Sequence, residues 1–182
     1  IRMLDLGRYQ AGPRCALMFA RMGADVIKIE TINGDESRKS GPIVNGQSGD
    51  WVQDNNGIKS WSVNLRTDEV KHILKELVKV SDIFLQNFRP GTIETMGFGY
   101  DILKHLNPRI IMINVSAYGQ YGPYSERVGF DSIGQALGGL MSLTGSINDP
   151  PIRTFFPLID RITALHATIG ALAAIHEREI SG

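Results

Sequence analysis

Short apolar runs rich in β-branched residues alternate with longer amphipathic stretches along most of this chain, and that alternation limits the fold more than any other feature. Residues 2–6 form the first apolar run. Pro13 then stands where the first turn of a helix tolerates it, ahead of Cys15, Ala16, Leu17, Phe19 and Ala20, and Gly23 stops that helix. Residues 25–30, with Val26, Ile27 and Ile29, read as the next strand. The result is a β-α-β unit, which builds parallel sheets.

The pattern then repeats. Residues 61–65 alternate like a strand, and Thr67 is placed to cap a helix whose apolar stripe is Val70, Ile73, Leu74, Leu77 and Val78. Residues 83–85 predict a strand, residues 100–106 a short helix ended near Pro108, and residues 110–115 a buried-type strand. Asp131 is placed to cap a helix running to about Leu143. The last helix, over about residues 159–179, carries Ala164, Ala167, Gly170, Ala171, Ala173 and Ala174 among larger apolar residues, which predicts close packing against other helices. Residues 31–57 are polar and hold five glycines, so they predict a long loop lying over a site. The fold class expected is α/β, a Rossmann-like parallel sheet flanked by helices and ending in a long helix, with residues 1–182 forming one domain.

Composition excludes several functions. The 19 basic and 19 acidic residues cancel, so no net field draws the chain to nucleic acid or to an anionic membrane. Cys15 is the single cysteine, which precludes an internal disulfide and a thiolate metal cluster and suits a reducing compartment, the cytosol or an organelle matrix. His72, His105, His166 and His176 are scattered without a second ligand at metal spacing, so no metal site is expected. Residues 1–6 lack the basic and apolar regions of a signal peptide, and no apolar run approaches the roughly 20 residues of a membrane span. Neither GxGxxG nor GxxxxGK[ST] occurs, which removes the dinucleotide fingerprint and the P-loop. The start at Ile1 and the stop directly after a helical pattern lead us to expect a fragment of a longer chain.

In a doubly wound sheet, ligands bind beyond the carboxyl ends of the strands. After Leu6 comes Tyr9-Gln10-Ala11-Gly12-Pro13, a helix start whose free N–H groups can meet a phosphate or an oxyanion, or simply form a turn. After Leu85 comes Gln86-Asn87-Phe88-Arg89-Pro90-Gly91, an amide, an aromatic ring and a cation before a tight turn, fit either to grip a nucleotide with Phe88 stacked on a base or to make a plain loop. After Val115, the run from Ser116 to Tyr124 holds glycines that permit close backbone approach to a ligand. Three acidic residues offer chemistry: Asp131, read as a cap, Asp149 in a proline-rich loop, and Asp160 ahead of the last helix.

Taken in order, these stretches resemble the family III (CaiB/BaiF type) CoA-transferases over practically the whole chain. The family's opening LDxTxxxAGP stands here as Leu4-Asp5-Leu6 through Ala11-Gly12-Pro13, followed by Gly23 to Glu30 for GAxVIKxE. ENFRPG appears as Gln86 to Gly91, MGxGY as Met96 to Tyr100, NPRxI as Asn107 to Ile111, SGxGQxGPY as Ser116 to Tyr124, and GYDxIxQAxxGLMSxTG as Gly129 to Gly145. The ordered set is far more specific than any one member.

The resemblance implies an enzyme that moves CoA from an acyl-CoA donor to a carboxylic acid acceptor through an aspartyl-CoA intermediate, with the thioester as substrate and no permanently bound cofactor. It implies Gln10 and Ala11 beside the reacting centre, Asn87 and Phe88 against CoA, Lys59 facing its phosphates and Tyr118 bordering the pocket. Relatives have longer chains with a second small domain and form interlocked homodimers, so both are expected of the full-length protein. The nucleophile has two candidates. The formyl-CoA type places it in a DGPP-like turn, where this chain has Asn148-Asp149-Pro150-Pro151, and Asp160 is the other. Ile58, Thr31 and Thr95 stand where relatives often carry basic residues. An α-methylacyl-CoA racemase of the same superfamily would need a histidine at Phe130. A non-catalytic CoA-binding protein is a third reading.

Overall fold

The computed structural model describes residues 1–181. Its centre is a five-stranded sheet made of β1 (Arg2–Asp5), β2 (Asp25–Glu30), β5 (Lys59–Ser62), β6 (Ile83–Gln86) and β7 (Ile111–Asn114). Every pairing is parallel, in the order β5-β2-β1-β6-β7. A two-stranded hairpin, β3 (Ile43–Val44) with β4 (Gln47–Ser48), stands apart.

Side chains alternate across the sheet, so each strand feeds two cores. Met3, Ile83, Leu85 and Ile113 face α1 (Ala11–Arg21) and α7 (Leu158–Ser181), where they meet Cys15, Phe19, Ala164 and Ala171. Leu4, Leu6 and Phe84 face the other way, onto Leu74 and Val78 of α3 (Asp68–Lys79), Ile93 of α4 (Thr92–Thr95) and Leu103 of α5 (Tyr100–Leu106). This is the α/β arrangement that the alternating sequence predicts.

Three expectations change. Residues 31–57 are not an open loop: they contain a 3-10 turn (Glu36–Lys39), the hairpin and α2 (Gly49–Asn55), and none of them lines the main cavity described below. Ion pairs hold this segment to the end of β2, with Glu30 bonded to Arg38 and Lys28 beside Asp35. The helix beginning at Asp131 is short. It runs as α6 (Asp131–Leu137) and breaks where Gly139 takes a φ of 78°, before a 3-10 turn (Leu140–Leu143). Finally, the 24-residue α7 is long and apolar enough to cross a membrane by length and composition alone, because its many alanines count as apolar. Its Ala164, Thr168 and Ala171 are buried in the layer shared with α1, while Ile162, Leu165, Ile169 and Leu172 stay partly exposed. Arg178 ties its far end to Asp82 at 2.9 Å.

Candidate active site

The strand order reverses at β1, whose two neighbours are β2 and β6, and the crevice beyond such a reversal is where ligands bind in open parallel sheets. A cavity of about 740 Å³ occupies that position. Its walls are the turn after β1, the turn after β6, the segment after β7, one face of α6 and the first turn of α7.

Gln10, Ala11, Asn87, Phe88, Tyr118 and Asp160 all line this cavity. Gln10 and Ala11 open α1, whose first-turn N–H groups have no intrahelical acceptor. The turn leading to them is strained: Tyr9 has a φ of 59°, rare for a bulky residue. Asn87 holds that turn from the side. Its Oδ1 accepts the Arg8 N–H at 2.7 Å and its Nδ2 donates to the Arg8 carbonyl at 2.8 Å, so the amide expected to face a ligand is spent on backbone. Across the opening, the Tyr9 ring meets Phe130 edge-on with centroids 5.8 Å apart.

Lys59 is not brought to this place. It starts the edge strand β5, is largely exposed, and its Nζ lies 2.6 Å from Asp25 Oδ1 at the amino end of β2, the opposite end of the sheet from the cavity. That contact, followed by Arg2, holds the Asp25 carboxyl below its ordinary range. Asp149 also lies outside the cavity lining, exposed in the loop after the second 3-10 turn.

Asp160 differs from Asp149 in placement and exposure. It sits in the first turn of α7, half-buried, and burial, together with the nearby charges of Asp131 and Asp54, pushes its carboxyl up to about 6. Asp131 serves as a cap, but of a different helix from the one expected. Its Oδ1 accepts the N–H groups of Ile159 at 2.7 Å and Asp160 at 3.3 Å, so it caps α7 from α6. Gln135, fully buried one turn along α6, donates to Asp131 Oδ2 at 2.5 Å and accepts the Thr154 N–H at 2.9 Å. Sequence reading missed Gln135. The available signal was its spacing of four from Asp131, which puts both on one helix face. It also missed Arg8 and Arg127, which join Arg89, the cation already read in the turn after Leu85, as guanidinium groups around the cavity. Arg8 is paired with Glu36, whereas Arg89 and Arg127 have no carboxylate partner among the described residues.

The CoA-transferase family III model matches residues 1–182. This chain belongs to that family. Among the relatives of the family III chain are a succinyl-CoA–D-citramalate CoA-transferase from Chloroflexus aurantiacus, 43% identical over all of this chain and 46% of the relative, and a formyl-CoA:oxalate CoA-transferase from Streptomyces avermitilis, 37% identical over all of this chain and 44% of the relative. A solved CAIB/BAIF family protein from Brucella suis superposes with a TM-score of 0.96 at 33% identity, over 100% of this chain and 50% of that one. The family III chain therefore spans about half the length of the curated relatives it matches.

Proposed function

We propose that this chain supplies the CoA-binding, nucleophile-bearing part of an acyl-CoA:carboxylate CoA-transferase, with Asp160 as the nucleophile. The observation that carries the reading is the meeting of two helix starts across one cavity: Asp160 in the first turn of α7 and Gln10-Ala11 at the head of α1. A carboxylate there has a thioester-sized space before it, and the unpaired N–H groups of α1 supply positive dipoles for a developing oxyanion.

In the proposed reaction, an Asp160 oxygen attacks the acyl-CoA carbonyl. A C–O bond forms, the C–S bond breaks, and the CoA thiolate leaves a mixed anhydride. The thiolate then attacks the aspartyl carbonyl, forming a C–S bond as the donor acid departs as a carboxylate. The acceptor carboxylate attacks this aspartyl-CoA thioester and displaces the thiolate, which finally takes the acyl group and restores the Asp160 carboxylate. Protons need not be moved at any step, which suits a cavity without a lining histidine among the described residues. The racemase reading lacks its base for the same reason, since Phe130 stands at the position that would need it.

Acyl-CoA and carboxylic acids are the substrates in this reading, and Arg89 and Arg127 are free to meet anionic groups of either. Curated relatives are named for succinyl-CoA and for formyl-CoA donors, so the acyl group is left as a class. Some are named as alpha and beta subunits, and together with the exposed apolar stripe of α7 this supports an assembly of two chains. A reducing compartment fits the buried, unpaired Cys15.

Trapping tests the proposal. The full-length protein is incubated with succinyl-CoA and hydroxylamine, and aspartyl hydroxamate is mapped by mass spectrometry. Adduct at Asp160 is expected. Its absence there, with wild-type transfer intact, sinks the assignment.

A further inference from the structure

Beneath the cavity floor lies a buried charge cluster to which neither the proposed reaction nor the family match gives a part. Lys28, near the middle of β2, has a side chain only 1% exposed. Its Nζ donates to the Gly7 carbonyl at 2.6 Å and lies 3.2 Å from Asp35 Oδ2 and 3.5 Å from Asp5 Oδ2. Asp5 and Asp35 are both essentially inaccessible.

Such a cluster is poor at stabilising a fold. Stripping water from an ammonium and two carboxylates costs several kcal/mol per ion, and apolar replacements of similar size are often neutral or better. What the cluster does supply is position, because each of its three members bonds the turn between β1 and α1, while Asp35 also caps the 3-10 turn through the Ser37 N–H and hydroxyl. Asp5 Oδ1 accepts the Gly7 N–H at 2.7 Å, Lys28 grips the Gly7 carbonyl, and Asp35 Oδ1 accepts the Tyr9 N–H at 3.3 Å. The peptide groups on both sides of Gly7, and that of Tyr9, are thus fixed from below. Asn87 fixes Arg8 from the side. A left-handed Tyr9 persists only where its surroundings over-determine it, and here they do. The turn packs so closely on its supports that only glycine fits at position 7: a Cβ on Gly7 would meet Asp5 Oδ1 at 2.7 Å and Leu85 at 2.9 Å.

We propose that Lys28 is a positioning residue for the transfer reaction, its ammonium binding the Gly7 carbonyl between Asp5 and Asp35 so that the strained turn presents Gln10 and Ala11 to the cavity opposite Asp160. The inference rests on the proposed function for what the turn is used for, and on the contacts alone for what holds the turn.

Lys28→Met in the full-length protein removes the charge and keeps most of the stem. Transfer is measured as kcat per CoA-binding molecule, with the binding stoichiometry taken from calorimetry, so that misfolded protein does not count. The expected result is a fall in kcat of ~10²-fold with KM for succinyl-CoA within about threefold of wild type, the pattern of a misplaced reacting group. Hydrogen exchange gives the second readout: amides of residues 8–12 exchange faster while those of α3 and β6 keep their protection. Should Lys28→Met fail to fold, Asp35→Asn retains an acceptor for Tyr9 while replacing the carboxylate oxygen that faces Lys28 with an amide NH2, which loosens the ammonium's hold from that side. It is expected to show the same local pattern, with a fall of about 10-fold in kcat.

Unchanged kcat per binding molecule, or exchange that rises uniformly across the sheet, overturns the proposal. A wild-type protein that transfers no CoA overturns the proposed function instead. In that case, local exchange at residues 8–12 still decides whether Lys28 holds the turn.

Discussion

The carboxylate of Asp131 caps the helix that carries Asp160, accepting the N–H groups of Ile159 at 2.7 Å and of Asp160 itself at 3.3 Å. A residue on α6 therefore fixes where α7 begins, and its negative charge bears on the carboxyl next to it. Removing it has two separable effects. Asp131→Ala leaves the α7 start uncapped and the buried Gln135 Nε2 without its acceptor, and should cost about 2 to 4 kcal/mol in urea unfolding. Asp131→Asn keeps an acceptor for the helix start and should cost about half as much.

With Asp160 as the proposed nucleophile, the pH dependence of transfer follows from its carboxyl. Burial first, then Asp131 and Asp54, raise its carboxyl from 3.8 to about 6, and only the ionised form attacks a thioester. Activity should rise with pH along a limb centred near 6, and Asp131→Asn should move that limb to lower pH by removing a like charge. Stability runs the other way. A carboxyl that binds its proton more tightly when folded adds stability at acid pH, and this contribution declines as pH rises from 3.8 through about 6. Rate profiles of wild type and Asp131→Asn would check the first statement, and urea unfolding of wild type and Asp160→Asn across pH the second. Asp160→Asn should lose transfer altogether and flatten its share of the stability curve.

Asp149 and Lys59 provide the contrast. Both lie outside the cavity lining, so Asp149→Ala and Lys59→Ala should each leave kcat within about twofold of wild type, against a loss of ~10³-fold or more for Asp160→Ala. Steady-state rates with succinyl-CoA would decide it. A large loss in Asp149→Ala would transfer the nucleophile role to the proline-rich loop.

Asn87 clamps Arg8 by both backbone groups. Asn87→Ala leaves a part-buried N–H and carbonyl unpaired, which should cost about 1 to 3 kcal/mol, and should weaken CoA binding as the turn loosens. Asn87→Asp should be worse for the turn, because it sets a second oxygen against the Arg8 carbonyl. Calorimetric titration with CoA, alongside urea unfolding, measures each.

Glu30 makes acid stability testable. Burial pushes its carboxyl up, but the Arg38 hydrogen bonds, with those from Ser60 and the Asp35 N–H, outweigh this and bring it from 4.5 to about 2. Its contribution to stability is therefore complete above 4.5 and lost as pH falls towards 2. In Glu30→Gln, the thermal midpoint should be lower at neutral pH and fall less steeply across that window.

Periodicity by itself determined the layers. The strands around Met3, Val26, Ile83 and Ile113 and the helix of Leu74 and Val78 were legible because burial on a sheet or a helix face imposes a local repeat that no distant contact has to supply. The ordered motifs also put Gln10, Asn87 and Tyr118 after strand ends, where a parallel sheet makes its crevice. Tertiary structure alone placed Asp160 in the cavity lining and left Asp149 outside it, since a carboxyl's surroundings come from residues far along the chain, here Asp54 and Asp131. It also reassigned Asp131 from its own helix to α7, sent Lys59 to the far end of the sheet, and gathered Asp5, Lys28 and Asp35 beneath one turn. Capping, ion pairing and desolvation act over a few ångströms in space, and one-dimensional spacing does not encode which segments come within that reach.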